Sequence, residues 1–238
     1  MSKSGLKIPE CTGVKILLIV VLAFFIASQL IFVVFKPYIS AKVIDFAKKH
    51  ARGRFVCTLN SNGEHVGKLY KINGNNEELV HSATALSCLF SRPKVNAGFF
   101  IFATGAGGGA TPYESGKNGE IVSMHKQITN PVIVIKIGRG GSGTYIDENN
   151  NFIDAKDGES TTIDALKITA KGGSKATRMT PVGNEQKQDE YHIPEKYYYL
   201  YDISKSAKYG LGGQYDKKTS QITARAQKGH DGAVVIIW

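Results

Sequence analysis

Residues 16–35, ILLIVVLAFFIASQLIFVVF, run without a charge, a glycine or a proline. No other feature restricts the possible folds as strongly. A bilayer core of about 30 Å is crossed by about 20 apolar residues in a helix. A helix buried in a soluble domain would show a polar stripe; this run offers only Ser28 and Gln29. Lys15 and Lys36 close it at both ends, where charged heads reach the interface. The sequence therefore predicts a basic N-terminal tail at 1–15 and a transmembrane helix at 16–35. A cleaved signal peptide is the alternative, with Ile39-Ser40-Ala41 as the cleavage sequence, but its apolar region is usually about 7–15 residues.

Charge follows the same division. Residues 1–54 contribute +7 of the net +10, and the remainder is nearly balanced. Basic residues flanking a span meet anionic headgroups. Nothing in the rest of the chain interleaves basic and aromatic residues, so nucleic acid is not an expected partner. Read literally, the positive-inside rule places the segment after the span in the cytoplasm, because Lys36, Lys42, Lys48, Lys49, Arg52 and Arg54 follow it closely. Against this, Cys57 and Cys88 are the only cysteines beyond the span. An even pair suits an oxidising compartment. The expectation is a disulfide between Cys57 and Cys88, in a domain outside the cytoplasm, in the periplasm or at the cell surface. Two buried free thiols are the alternative.

After the span, Ile39, Val43, Phe46 and Ala47 fall at i, i+4, i+7 and i+8 and build one apolar stripe. This predicts an amphipathic helical extension over 36–53. Together with Ser28 and Gln29, which offer interhelical hydrogen bonds in lipid, Ile39, Val43 and Phe46 are candidates for self-association.

Beyond Gly53 the pattern becomes short β-branched and aromatic runs divided by Gly, Asn and Asp. Strands are predicted at 54–59, 66–72, 97–103, 119–128, 132–138, 163–169, 196–203, 220–225 and 233–238, with turns at Asn73-Gly74 and within 145–154. Residues 79–90 fit a short helix or a strand equally. The expected class is mainly β: one N-terminal transmembrane and amphipathic helix, then a glycine-rich β-sandwich or roll over 54–238.

Motifs with a defined chemistry are few. Gly105-x-Gly107-x-x-Ala110 follows an apolar strand, but Thr111-Pro112 is a poor start for the helix a dinucleotide site needs. Asp147, Asn149 and Asn151 have calcium-loop spacing, yet Phe152 stands where the loop needs Gly. The six histidines form no pair at metal-ligand spacing. No base is placed beside a nucleophile. The expectation is a non-enzymatic protein with no cofactor and no metal. Tyr191, Tyr197 and Tyr199, in a tyrosine-rich run, are the candidate partner surface, for a protein or a glycan.

Four segments carry a resemblance: FFIFATGAGGGA (99–110), GEIVSMHKQI (119–128), VIVIKIGRGGSG (132–143) and DGESTTIDALKITAKGG (157–173). Each couples a strand to glycines. The order resembles the glycine-rich β domains of phage tail-fibre tips, bacterial surface proteins and some receptor ectodomains, and covers about residues 97–175. The resemblance implies that glycine tracts leave the strand ends and pack together in extended form. Read from the residues alone, such tracts suit a rigid, side-chain-poor surface supported by strands. A second resemblance, in Leu17–Val21, Pro37-Tyr38 and the amphipathic continuation, is to the N-terminal helix of type IV pilins. The functional expectation is a membrane-anchored structural or interaction protein of a surface assembly, a pilin-like subunit or adhesin. A membrane component of a phage or secretion machine, and an anchored hydrolase or ligand-binding enzyme, are the alternatives.

Overall fold

Buried and partly exposed residues alternate along β1 (Gly53–Leu59), and this alternation sets the layering of the domain. Phe55 and Cys57 point to one side of the sheet, Val56 to the other. A computed structural model describes residues 52–74, 76–94, 98–179, 192–215 and 226–238. The expected span, the stripe of Ile39, Val43 and Phe46, Ser28 and Gln29 lie outside the described residues, as do Tyr191 and the whole of the expected strand at 220–225. Among the described residues no helix is long and apolar enough to cross a membrane.

The domain is mainly β. Its centre is a six-stranded antiparallel sheet of order β3-β2-β1-β12-β5-β6, built from β2 (His65–Asn73), β3 (Asn76–Ala85), β5 (Phe99–Thr104), β6 (Ile121–Lys126) and β12 (Ala233–Ile237) around β1. Successive residues of a strand face opposite sides. On one side Phe55, Cys57, Phe99, Ile101, Val234 and Ile236 form the larger core. Two short pairs pack over it: β4 (Cys88–Ser91) with β7 (Val132–Ile135), and β10 (Thr161–Ile163) with β11 (Ile168–Ala170). On the other side Phe102, Val235 and Ile237 meet Ile193, Tyr198, Tyr201 and Ile203. Cys57 and Cys88 are joined in a disulfide that ties β1 to β4.

Two local expectations are corrected, and one left open is resolved. The run 196–203 is not a strand. Residues Glu195–Leu200 form a helix, α1, behind Pro194. The helix puts Tyr197 and Tyr201 one turn apart, with ring centroids 6.1 Å from each other, and both rings pack on Phe102. Tertiary packing here overrides the β preference of tyrosine. The expected strand at 163–169 is broken: β10 ends at Ile163, a 3-10 turn spans Asp164–Leu166, and Lys167 takes a left-handed conformation before β11. Residues 79–90, undecided from sequence, continue β3 to Ala85 and enter β4 at Cys88.

The two ends of the large sheet differ. Gly53, Lys71, Ile237, Phe100 and His125 share one end through successive register pairs. Thr104, Ile121 and Ala233 share the other. The chain enters the described domain at the first end. From the second, the glycine tracts leave.

Candidate functional site: the loops carried by a glycine lattice

Residues 105–110 continue β5 beyond its last sheet residue and are all buried. Their hydrogen bonds recur every three residues. Ala106 and Gly109 donate to Glu159 and Lys156, Gly107 and Ala110 donate to His230 and Gln227, and Gly105 and Gly108 donate to Glu120 and Lys117. The carbonyls of the same tract accept in turn. Gly173 and Ala176 donate to Ala106 and Gly109, Gly141 and Thr144 to Gly107 and Ala110, and Gly213 to Gly108. A β-ladder would repeat every two residues. A three-residue repeat is that of an extended polyproline-II type helix, which has no internal hydrogen bonds and leaves every backbone group free for a neighbour.

The central tract is thus surrounded by six others: 116–120, 171–176, 156–159, 138–144, 226–232 and 210–213. The neighbours bond to one another as well. Lys117 donates to Ser174, Gly158 to Gly173, Lys156 to Ser142, Gly229 to Gly141, His230 to Leu211 and Gly116 to Gly213, which closes the ring. Around the ring, tracts leaving the sheet alternate with tracts returning to it. A side chain in the centre would meet backbone. A Cβ on Gly107 would lie 2.1 Å from the Leu211 carbonyl oxygen, and one on Gly109 would lie 1.9 Å from that of Ser142. The sequence reading of these tracts as an outer surface is corrected here. They form a buried, hydrogen-bonded interior in which the tracts satisfy most of their backbone groups against one another.

What the lattice exposes is its far end. There 110 turns back to 116 through Thr111–Ser115, and 144 to 155 through a hairpin of β8 (Tyr145–Ile146) and β9 (Phe152–Ile153). The tracts ending at Ala176 and Gly213 also leave the lattice at this end. The loops are fastened together by polar contacts. Glu114 Oε2 accepts the N–H groups of Thr177 and Arg178, each at 2.9 Å. Thr111 Oγ1 donates to the Arg178 carbonyl at 2.6 Å, and Ser115 Oγ accepts from Tyr215 N–H at 2.8 Å. The Arg178 N–H, then that of Thr177, holds the Glu114 carboxyl below its ordinary value of 4.5. Asp147 Oδ1 accepts the N–H groups of Asn149 and Asn151, which makes the residues with calcium-loop spacing the turn of the hairpin. Among the described residues no cluster of three His, Cys, Asp or Glu is placed to hold a metal.

On this framework Ile146, Phe152 and Met179 are exposed, and Tyr113, Tyr145 and Tyr215 of the same end are half-buried. Apolar side chains held out on a hydrogen-bonded support have the composition of a contact surface. None of them was singled out in the sequence. The available signal was positional: Thr111–Ser115 and 145–154 each stand between two glycine tracts.

The tyrosines that were singled out lie elsewhere. Tyr197 is half-buried against Phe102 and Tyr201, with Lys196 Nζ 4.8 Å from its ring centroid. Tyr199 is exposed, donates to Glu195 Oε1 at 3.3 Å, and has Lys205 Nζ 5.5 Å from its ring centroid. Both belong to α1, beside the sheet. Next to α1 a cavity of about 280 Å³ is lined by His192, Tyr198, Lys205, Lys208 and Gln214 among others. Burial keeps His192 below its ordinary value of 6.5.

Comparison with protein families, with characterised proteins and with solved structures finds no match to this chain.

Proposed function

We propose that the chain is a membrane-anchored interaction protein of a surface assembly, in which residues 16–35 span the bilayer and the glycine lattice carries a contact surface at the end of the domain opposite the chain's entry. One observation supports this reading above the others. The chain enters the domain at Arg52 and Gly53, at the end of the sheet opposite the lattice, and the lattice places its loops at the far end. An anchor at the entry and a rigid support between it and the loops is the layout an adhesin or an assembly contact needs. The disulfide supports placing the domain outside the cytoplasm. The loop residues Ile146 and Phe152 carry the contact in this reading, with a surface protein or a glycan as partner.

The test uses photo-crosslinking in cells that express the full chain. A photoreactive residue replaces Phe152 in one variant and Lys71, at the sheet's entry end, in another. Adducts with molecules other than the chain itself are expected from position 152 and not from 71. Equal adducts from both positions would remove the tip from the reading. Membrane anchoring is tested separately, by flotation of the full chain with vesicles after an alkaline carbonate wash.

A further inference from the structure

One face in the domain is apolar and exposed. In β4 and β7 the side chains alternate. Cys88, Phe90, Ile133 and Ile135 are buried in the larger core. Leu89, Val132 and Val134 point outward and are 61%, 48% and 44% exposed, and Leu86, in the turn before β4, is 96% exposed. Leu89 is the direct cross-strand partner of Val134. Isolated exposed apolar residues need no explanation, but a contiguous group does.

The rim of this face is cationic. Arg92 and Lys94 follow β4 directly, and Lys136 continues the outward row of β7 after Val134. Lys167 is exposed on the turn that joins the 3-10 segment to β11. None of the four forms an ion pair with a described residue. The 3-10 turn beside β7 adds one exposed carboxylate, Asp164.

One end of the face is near the point where the chain arrives. On the buried side of β4, Phe90 packs against Trp238, with ring centroids 5.4 Å apart. Trp238 exchanges backbone hydrogen bonds with Gly53 at 3.1 and 3.2 Å. The Ser91 end of β4 therefore lies near the start of the domain, while Leu86, which follows Ala85 at the Leu59 end of β1, lies toward the lattice. The 51 residues before it hold the apolar run and its basic flank.

We propose that the outer face of the β4–β7 pair lies on the headgroup layer of an anionic bilayer, with Leu86, Leu89, Val132 and Val134 entering the interface and Arg92, Lys94, Lys136 and Lys167 on the lipid phosphates. An apolar face ringed by Lys and Arg is the composition of an interfacial lipid contact. A second copy fits less well. A two-fold contact sets a patch against itself, and would bring the two cationic rims together. The inference rests on the membrane anchor proposed above, which brings this face to the bilayer.

The test keeps the full chain. In a Cys11→Ser background, a nitroxide label is placed at Leu89→Cys or, as a comparison, at Phe152→Cys. The protein is reconstituted in vesicles of phosphatidylcholine with or without phosphatidylglycerol. With the anionic lipid, the label at 89 should relax more with oxygen than with a water-soluble nickel chelate, and the label at 152 should do the reverse. Adding Val134→Asp should return the label at 89 to the aqueous pattern, with the label at 152 unchanged as a check on folding. Equal access of the nickel chelate to both labels, in protein that floats with the vesicles, would overturn the lipid contact and leave the anchor standing. Dipolar coupling between labels at 89 would overturn it in favour of a second copy. A chain that does not float would remove the anchor and this contact together.

Discussion

Gly107 states the physical constraint on the lattice most simply. Its backbone accepts from Gly141 and donates to His230, each at 2.9 Å, while the Leu211 carbonyl passes 2.1 Å from where a Cβ would be. A methyl group there meets backbone that is itself hydrogen-bonded on both sides, so it has no side chain to displace. Gly107→Ala is expected to cost about 3 kcal/mol or more, the upper range for overpacking a buried site. Gly74, with φ of +62° and nothing within 4 Å of its Cβ position, provides the contrast. Gly74→Ala should cost only the left-handed penalty of about 1–2 kcal/mol. Urea unfolding of the two variants separates close approach from conformational preference. Similar costs would show that the lattice relaxes around a methyl group.

At the scale of elements, the Tyr201 hydroxyl ties the end of α1 to the sheet in an apolar setting. The Tyr201 hydroxyl donates to the Ile101 carbonyl at 3.1 Å and lies 2.9 Å from Ser123 Oγ. Burial pushes its pKa up to about 12. Tyr201→Phe keeps the ring on Phe102 and leaves the two partners short of a bond, which should cost about 1–2 kcal/mol. The expected signature is faster amide exchange in α1 with little change in the large sheet; unchanged exchange would make the contact incidental. The disulfide acts between β1 and β4, which are separated by 31 residues in sequence. Closing a loop of that size restricts the unfolded chain by about 3–4 kcal/mol. Serine at both Cys57 and Cys88 should lower the urea midpoint and steepen the slope of unfolding, because the unlinked chain unfolds to a more open state. A midpoint equal to that of the parent would show that the crosslink adds nothing to stability.

For the whole molecule, three histidines make stability depend on pH in one direction. His65 is held below its ordinary 6.5 by burial and by the Arg139 charge, while its Nε2 accepts the Ile137 N–H at 2.9 Å. His192 is lowered by burial, and His230 by burial and then by Lys208. In each case the folded state binds a proton less readily than the unfolded chain. Their contribution is therefore complete above about pH 6.5 and is lost as pH falls from there through the folded-state values. The urea midpoint should be lower at pH 5 than at pH 7.5, and His65→Gln, which retains an acceptor, should reduce the difference. A midpoint independent of pH over this range would show that the three imidazoles are not coupled to folding.

Strand existence was legible wherever β-branched and aromatic residues alternate. Phe55 and Cys57 on one side of β1, with Val56 on the other, follow from period two alone. The turn at Asn73-Gly74 and the hairpin within 145–154 follow from turn chemistry. The sequence also restricted residues 105–110 to something only glycine and alanine fit. It did not say what fills the space, because the partners of those six residues come from six separate stretches as distant as 230, and a hydrogen bond leaves no periodic mark on a backbone with no side chains. For the same reason the exposure of Ile146 and Phe152 at the far end of the lattice was invisible. Their support is assembled from backbone across the whole domain, and only the closed ring shows which end faces outward. The tyrosines of α1 illustrate the opposite limit. Their β preference was real, but the apolar face offered by Phe102 and Val235 favoured the conformation that stacks residues one turn apart. Tertiary packing decided there what local preference could only bias.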